Sequence, residues 1–460
     1  MPALRRLRSP FLRKVNAAAS TQESPGATLA RMLLDSPRWV HRRVEALRMD
    51  ARGPTRRQFS VDLTLDVDLV VRRSVDAGSV LIPLGFVRKG ALRKLDTRSA
   101  RGEALPVLTT AENGPFAKAM LVDLAGRLVP GWTLTEPDED LLGRVVYCSP
   151  QGASGAHPGG GPPQQAREVQ AEVSAWLEFV RAQRGADLAV IELFEQIALQ
   201  LTNHFLLIVE HDESVVGSRT VLKYSYDEAP PEPLTRRVPA SLKLEPTDFG
   251  FSESWHFEVE APEGLVLKRL ELTEYDLNGD VLAAGRDEGA SSETVGHLAH
   301  RPAHRLTSAV VTIDLAPDAP GVPRFALFGV LLTTVAVWVA LVARAFPGLL
   351  VAPTTVAPSP AASILLAGPA LLLSWISRAP EHTMVARLLR RTRRTMMVSA
   401  LVLLVMAALT AVPVVRWVGC VAWLLVGIAQ TWVAFDVVQE YRDIVSESPP
   451  TVVTTRGGAA

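Results

Sequence analysis

Cysteine and lysine are both scarce in this chain of 460 residues. Cys148 and Cys420 are the only cysteines, and they lie far apart, so a framework of several disulfides is excluded. The first twenty residues carry arginines but no continuous apolar core, and therefore predict no secretory signal peptide. Only seven of the 48 basic residues are lysine, and this excess of arginine, with abundant Ala and Val, is typical of a bacterial chain from a GC-rich genome.

Sequence motifs of known catalytic chemistry are also lacking. We find no His-Glu-x-x-His, Gly-x-Ser-x-Gly or Cys-x-x-Cys motif and no kinase signature. The Gly/Pro-rich stretch 149–166 is not followed by Gly-Lys-Ser/Thr, so we interpret it as a linker rather than a phosphate-binding loop. His297, His300 and His304 crowd together, but Pro302 interrupts any helix there and no cysteine or nearby carboxylate completes a ligand set. We expect a turn between strands at this point, and predict no catalytic, cofactor-binding or metal-binding residue.

Four long apolar stretches dominate the C-terminal part of the chain. They cover residues 325–343, 361–377, 395–415 and 417–435, and each is close to the roughly 20 residues that cross a ~30 Å hydrocarbon core. Gly368 and Pro369 interrupt the second stretch, which leaves both a kinked span and a re-entrant hairpin open. We predict an α-helical transmembrane bundle of four helices within 321–436, followed by a C-terminal tail, 437–460.

A strongly basic loop separates the second and third stretches. Its six arginines are Arg378, Arg387, Arg390, Arg391, Arg393 and Arg394. The positive-inside bias predicts that this loop is cytoplasmic, and four spans then leave both termini in the cytoplasm, at the cell (inner or plasma) membrane. We expect these arginines to contact lipid headgroups, together with three tryptophans near the membrane surfaces, Trp375, Trp417 and Trp432. A docking surface for the acidic soluble part is the alternative role of the loop.

The four stretches contain no ionisable side chain in their interiors, which argues against a proton-coupled pump. Polar residues such as Gln430 and Thr431 remain, and we expect them to hydrogen-bond between helices. The same residues could line a passive pore after assembly of several chains.

The soluble part divides into three segments. Residues 1–57 form a basic N-terminal arm with amphipathic helices, one of which begins at Ser36-Pro37 and carries Trp39 and Leu47 on one side. Residues 58–228 predict an α+β cytosolic region, because the period-two alternation that begins at Phe59 is typical of a strand and several helical stripes follow. Residues 229–320 contain at least five short strands and suggest a small β-sandwich. The fold class is thus a β-rich α+β soluble region with a few helices and a small β-sandwich, before the transmembrane bundle.

Net charge is zero, but it is unevenly distributed along the chain. Residues 1–60 have 13 Lys and Arg against 4 Asp and Glu, and residues 324–460 have 11 against 5. The segment between them has 24 against 39 and is strongly acidic. Basic flanks favour an anionic lipid surface, whereas an acidic body gains nothing at a nucleic-acid backbone. We therefore predict the lipid bilayer as a partner and exclude nucleic acid.

Together these features predict a multi-pass membrane protein with a large cytoplasmic N-terminal region. A non-enzymatic anchor, adaptor or sensor is the first hypothesis, in which the soluble part binds an unknown cytosolic protein or ligand and the spans support a homo-oligomer. A channel or membrane-perturbing effector gated by the cytosolic part is the second. An enzyme with an unrecognised site is the third, since catalytic residues distant in sequence cannot be assembled without a fold.

Overall fold

The computed structural model of the protein describes residues 24–49, 54–73, 78–90, 93–148, 164–228, 240–246, 248–275, 280–286, 294–302, 308–318, 321–346, 370–371, 383–411 and 416–446. Residues 24–318 form a β-rich unit, which we call the head. The described residues from 321 onward are almost entirely helical, and we call them the bundle. The predicted span 361–377 and the tail beyond Ser446 lie outside the described residues, apart from residues 370–371.

The head contains three β-sheets and a set of helices. Its strands are β1 (Val40–Met49), β2 (Thr55–Thr64), β3 (Val71–Arg72), β4 (Ser79–Arg88), β5 (Arg93–Arg98), β6 (His204–Asp212), β7 (Arg219–Glu228), β8 (Ala240–Leu244), β9 (Ser254–Glu260), β10 (Leu265–Tyr275), β11 (Val281–Arg286), β12 (Val295–His300) and β13 (Ser308–Pro317). Its helices are α1 (Pro25–Leu34), α2 (Ser36–Trp39), α3 (Thr110–Ala125), α4 (Glu136–Tyr147), α5 (Gln164–Arg181) and α6 (Leu188–Asn203). The bundle contains α7 (Val322–Ala345), α8 (Thr383–Leu388), α9 (Arg390–Ala411) and α10 (Arg416–Ser446).

A six-stranded sheet of order β12-β9-β1-β2-β7-β5 runs through the whole head. The pairing of β1 with β9 is parallel, with Val44 opposite His256, and the other pairs are antiparallel. Two strands of the segment 229–320 therefore belong to a sheet whose other strands come from before residue 229. The predicted division at residue 228 cuts through this sheet, and the segment 229–320 does not supply both layers of a sandwich by itself.

The helix that we predicted from Ser36 is wrong beyond its first turn. Only Ser36–Trp39 is helical, and β1 follows directly. The reason lies in the inward face of β1, where the charged residues Arg43 and Glu45 are buried beside Leu47. Because two of the buried positions carry charges, the period-two pattern of a strand is hidden in the hydropathy of this segment.

Two hydrophobic cores lie on the inner face of the six-stranded sheet. In the first, β2 and β7 pack with the three-stranded sheet β3-β4-β6 and with helices α1 and α3 to α6. In the second, β1, β9 and β12 face the four-stranded sheet β11-β10-β13-β8, with Trp255 and Phe257 opposite residues such as Leu272 and Ile313. The second core lies between two sheets, and one of them includes β1 from outside the segment 229–320.

Most of the predicted helices and strands of the segment 58–228 are confirmed. The first helical stripe after the strands is α3, whose first turn is closed by a capping box between Thr109 and Glu112. The two helical stripes after residue 166 correspond to α5 and α6, and they lead into strands β6 and β7. Residues 149–163 of the predicted linker lie outside the described residues, and residues 164–166 already belong to α5.

Candidate functional site

Helices α7 and α10 carry long outward-facing apolar surfaces. Among the described residues, two helical stretches, Val322–Ala343 and Trp417–Val445, are long and apolar enough to cross a membrane. In an apolar 18-residue window of each stretch, 22% and 28% of the residues are buried within the protein, whereas the core helix of a soluble domain is mostly buried. Their exposed side chains include Phe325, Phe328, Leu332, Val335 and Val339 on α7, and Trp417, Val421, Leu425, Trp432 and Phe435 on α10. Soluble surfaces rarely carry an apolar patch of this extent, whereas lipid covers one without cost.

Helix α10 runs antiparallel to both α7 and α9. Arg391 near the start of α9 lies 3.0 Å from Asp436 near the end of α10, so these two helices are antiparallel. The last turns of α7, from Leu341 to Phe346, line one apolar cavity with Cys420 at the start of α10, so this pair is antiparallel too. Helices α7 and α9 consequently run in the same direction, and both begin at the end of the bundle that is nearest the head.

Polar side chains inside the bundle bond to neighbouring helices. The Gln430 side-chain nitrogen donates to the Ser399 hydroxyl at 2.9 Å, and both residues are fully buried. The Trp338 indole N–H donates to the Thr431 hydroxyl at 3.0 Å. Hydrogen bonding between helices by Gln430 and Thr431 is thereby confirmed, and it occurs within a single chain.

The arginines of the basic loop have different environments. Arg390 and Arg394 are exposed, Arg391 pairs with Asp436, and Arg393 is half-buried. Arg387 belongs to α8, but its side chain is outside the described residues, as are Trp375 and Arg378. Trp417 and Trp432 are 71% and 69% exposed on α10. Exposure of these residues fits headgroup contact, which stays a prediction.

Helix α8, which lies within the basic loop, packs against the head. Val385, Leu388 and the following Leu389 are buried in the sandwich core, together with residues such as Leu265 and Leu315. Their spacing at i, i+3 and i+4 places three apolar side chains on one face of a short helix. Docking of this loop onto the soluble part was the alternative expected from its arginines, whereas a contact through these apolar side chains was not predicted, although their spacing was visible in the sequence.

A buried ion pair holds the head together where its two cores meet. Arg43 on β1 and Asp248 are each 3% exposed, and their side chains lie 3.0 Å apart. Asp248 also accepts a hydrogen bond from the Phe86 amide at 2.9 Å, while Arg43 donates to the Tyr224 hydroxyl at 3.2 Å. Burial raises the pKa of the Asp248 carboxyl above its ordinary value, although the charge of Arg43 opposes the rise. A Cβ at Gly85 would lie 2.5 Å from the Asp248 carboxylate, so only glycine allows β4 to approach this pair.

A second buried pair lies next to the first along the same sheet face. Arg57 on β2 bonds to Glu45 on β1, and both side chains are less than one-tenth exposed. The guanidinium also lies 5.4 Å from the centre of the Phe59 ring and 3.6 Å from the Glu228 carboxylate. Within each pair the two opposite charges neutralise each other, and both pairs are closed to solvent. The pairs therefore align the strands rather than bind a substrate.

An open polar cleft of about 400 Å³ lies on the outer face of the six-stranded sheet. Its charged groups are mostly paired, with Arg219 bound to Asp62 at 2.7 and 2.9 Å and Arg301 bound to Glu253 at 2.7 Å. Within the part of the chain that the structure describes, no group of three or more His, Cys, Asp or Glu side chains is arranged to hold a metal ion. The cleft has the character of a solvated protein surface and presents no catalytic arrangement.

Two of the three clustered histidines lie on a strand and not in the predicted turn. His297 and His300 belong to β12, where His300 bonds to the buried carboxylate of Glu274 at 2.8 Å. His297 lies beside His256 of β9. His304 is outside the described residues.

Comparisons with known proteins bring no relative: no family model, no curated protein and no solved structure matches the chain.

Proposed function

We propose that this chain is a multi-pass membrane protein whose head lies on the cytoplasmic side, and that it acts as a non-enzymatic anchor, adaptor or sensor. The observation that carries this proposal is the docking of α8 onto the head. Because α8 belongs to the basic loop, the head and the loop lie on the same side of any membrane that surrounds the bundle. The positive-inside bias then favours the cytoplasm for both.

The directions of the bundle helices support a four-span arrangement. The C-terminal end of helix α7, at Phe346, is level with the start of α10. Helix α8 and the start of α9 are level with the C-terminal part of α10. Between the levels of Cys420 and Glu440 the helix rises about 30 Å, which is the thickness of the hydrocarbon core. We therefore propose the apolar stretch 361–377 as the crossing that joins these two ends of the bundle.

The membrane environment is supported by the reversal of polarity in the bundle. Large apolar side chains face outward, while Ser399 and Gln430 face inward and bond to each other. The proposed partners are accordingly the lipid bilayer, a second copy of the chain through the outward faces of the spans, and a cytosolic protein or ligand for the head. The acidic character of residues 61–323 argues against nucleic acid.

Extraction and flux measurements test the proposal. Membranes from cells that express the full chain are washed with alkaline carbonate, and we expect the protein to stay in the pellet because spans resist this treatment. Release into the supernatant would contradict the membrane-spanning arrangement.

The purified chain in liposomes is expected to conduct no more ions than protein-free liposomes. A clear ion flux would contradict the anchor hypothesis and support the channel hypothesis.

A further inference from the structure

Two histidines face each other on the outer surface of the six-stranded sheet. His256 lies on β9 and His297 on the antiparallel neighbour β12, and the His256 Nδ1 and His297 Nε2 atoms are 3.3 Å apart. Trp255 and Phe257, which flank His256 in sequence, are fully buried, so the imidazole points away from the core. Nothing in the sequence indicated this pair, because 41 positions separate its members.

The distance between the two nitrogens matches the geometry of a metal site. Zinc binds imidazole nitrogen at about 2.0–2.1 Å and prefers a tetrahedral arrangement, which separates two ligand nitrogens by about 3.3–3.4 Å. A direct hydrogen bond between nitrogen and its acceptor is usually shorter, at about 2.9–3.0 Å. A metal ion can therefore bridge His256 and His297 without a change in strand register or in the spacing of the rings.

Charges of both signs act on this pair. Glu258 lies directly opposite His297 in the strand pairing and is exposed. The positive charge of Arg42 and the negative charge of Glu258 have opposite electrostatic effects on His256. The neighbouring Glu260 is held by Arg48 at 3.4 Å and stays separate from the pair.

We propose that His256 and His297 form a two-histidine clamp for a divalent transition-metal ion of the zinc class, with water in the remaining coordination positions. Imidazole is the ligand that zinc, copper and nickel share, and the calcium and magnesium ions prefer oxygen. With only two protein ligands, the site binds far more weakly than a closed four-ligand site, and we expect a Kd for zinc of about 1–100 µM. A bound ion would tie the edge strand β12 to β9.

Calorimetric titration with ZnCl₂ tests the clamp. The full chain, freed of any histidine tag and held in detergent micelles, is expected to bind one zinc ion per chain. His256→Ala and His297→Ala should each weaken the binding at least tenfold. His211→Ala removes another solvent-accessible histidine, on β6, and should leave the affinity unchanged. Absence of binding in the parent protein, or unchanged affinity in both clamp variants, would overturn the proposal.

A spectroscopic measurement checks the geometry independently. Cobalt(II) in a tetrahedral site absorbs visible light much more strongly than the hydrated octahedral ion. We expect this absorption on addition of CoCl₂ to the parent protein and its loss in His297→Gln, whose side chain keeps the size and polarity of the position. Circular dichroism of each variant shows whether it is folded. Weak absorption of the octahedral type in the folded parent would contradict the tetrahedral clamp.

Discussion

The head and the bundle bury different kinds of polar group. The head buries full charges in close pairs such as Arg43 with Asp248. The bundle buries neutral groups such as Gln430 and Ser399, and keeps its Asp436–Arg391 pair at the end that is nearest the head, with both side chains more than half exposed. A buried ion pair needs hydrogen bonds on every side, which a folded β-sandwich supplies and a lipid-facing helix does not.

The two regions also differ in what their surfaces present. The outer face of the six-stranded sheet carries charged and polar side chains such as Arg42 and Glu258, whereas α7 and α10 expose Phe and Trp. A chain with both kinds of surface needs water around the polar region and lipid around the apolar one. In the membrane-spanning arrangement that we propose, the boundary between water and lipid would lie between the end of β13 at Pro317 and the start of α7 at Val322.

The largest effect should come from breaking a buried charge pair of the head. Asp248→Ala leaves Arg43 buried without its partner, and we expect a loss of about 3–5 kcal/mol in the free energy of unfolding of the head. Glu253→Ala is the matched control, because Glu253 and its partner Arg301 are 46% and 73% exposed and such pairs contribute about 0–1 kcal/mol. Urea unfolding followed by tryptophan fluorescence measures both. Equal losses would mean that burial does not decide the value of these pairs.

Weakening the contact between the head and the bundle should have the second-largest effect. Leu389→Ala removes a buried side chain from the docking face of α8, and a core substitution of this kind costs about 2–4 kcal/mol. We expect faster trypsin cleavage at the arginines of the basic loop. Val398→Ala on the exposed face of α9 is the control and should leave the cleavage rate unchanged. Similar rates in the two variants would show that α8 is not held by the head.

Acid should weaken the head through His204. Burial lowers the pKa of this imidazole to about 4, while the unfolded chain has its ordinary value near 6.5. Between these two values the unfolded state binds more protons, so the head loses stability as the pH falls from 6.5 to 4, by about 3 kcal/mol. His204→Gln should flatten this part of the stability profile, and His211→Gln should not. A profile that is unchanged in His204→Gln would contradict the assignment.

The smallest effect should come from the polar contact in the bundle. Gln430→Leu removes the hydrogen bond to Ser399, and bonds between transmembrane helices contribute about 0.6–2 kcal/mol. Thermal unfolding of the full chain in detergent should therefore change little. A loss as large as that of Asp248→Ala would contradict the contrast between the two regions.

Sequence reasoning was strongest where one simple period governs a segment. The apolar runs that became α7 and α10, the alternation from Phe59 and the stripes of α5 and α6 are all single-period patterns. Residues 395–411 of the third predicted span are helical in α9, which is not one of the two helices that are long and apolar enough to cross a membrane. Helix α10 continues to Ser446, beyond the predicted end at residue 435. Helix ends shift in this way because polar residues such as Glu440 find partners on a neighbouring helix.

The features that escaped prediction depend on contacts between distant segments. The period-two hydropathy pattern of strand β1 is not visible in the sequence, because two of its buried residues, Arg43 and Glu45, are charged. Its parallel partner β9 lies about 210 positions away. The docking of α8 and the pair of His256 with His297 likewise need two segments that only the fold brings together. Arg391 was expected to meet lipid headgroups, but it also has Asp436 as a partner within the chain. No local pattern contains this information.

The side of the membrane on which the head lies is the central claim, and chemical labelling of spheroplasts tests it most directly. In a background of Cys148→Ser and Cys420→Ser, a single cysteine is introduced by Arg184→Cys in the exposed turn after α5, or by Trp417→Cys at the end of α10 that is distant from the head. A membrane-impermeant maleimide should label Trp417→Cys in intact spheroplasts and Arg184→Cys only after permeabilisation. Labelling of Arg184→Cys in intact spheroplasts would contradict a cytoplasmic head.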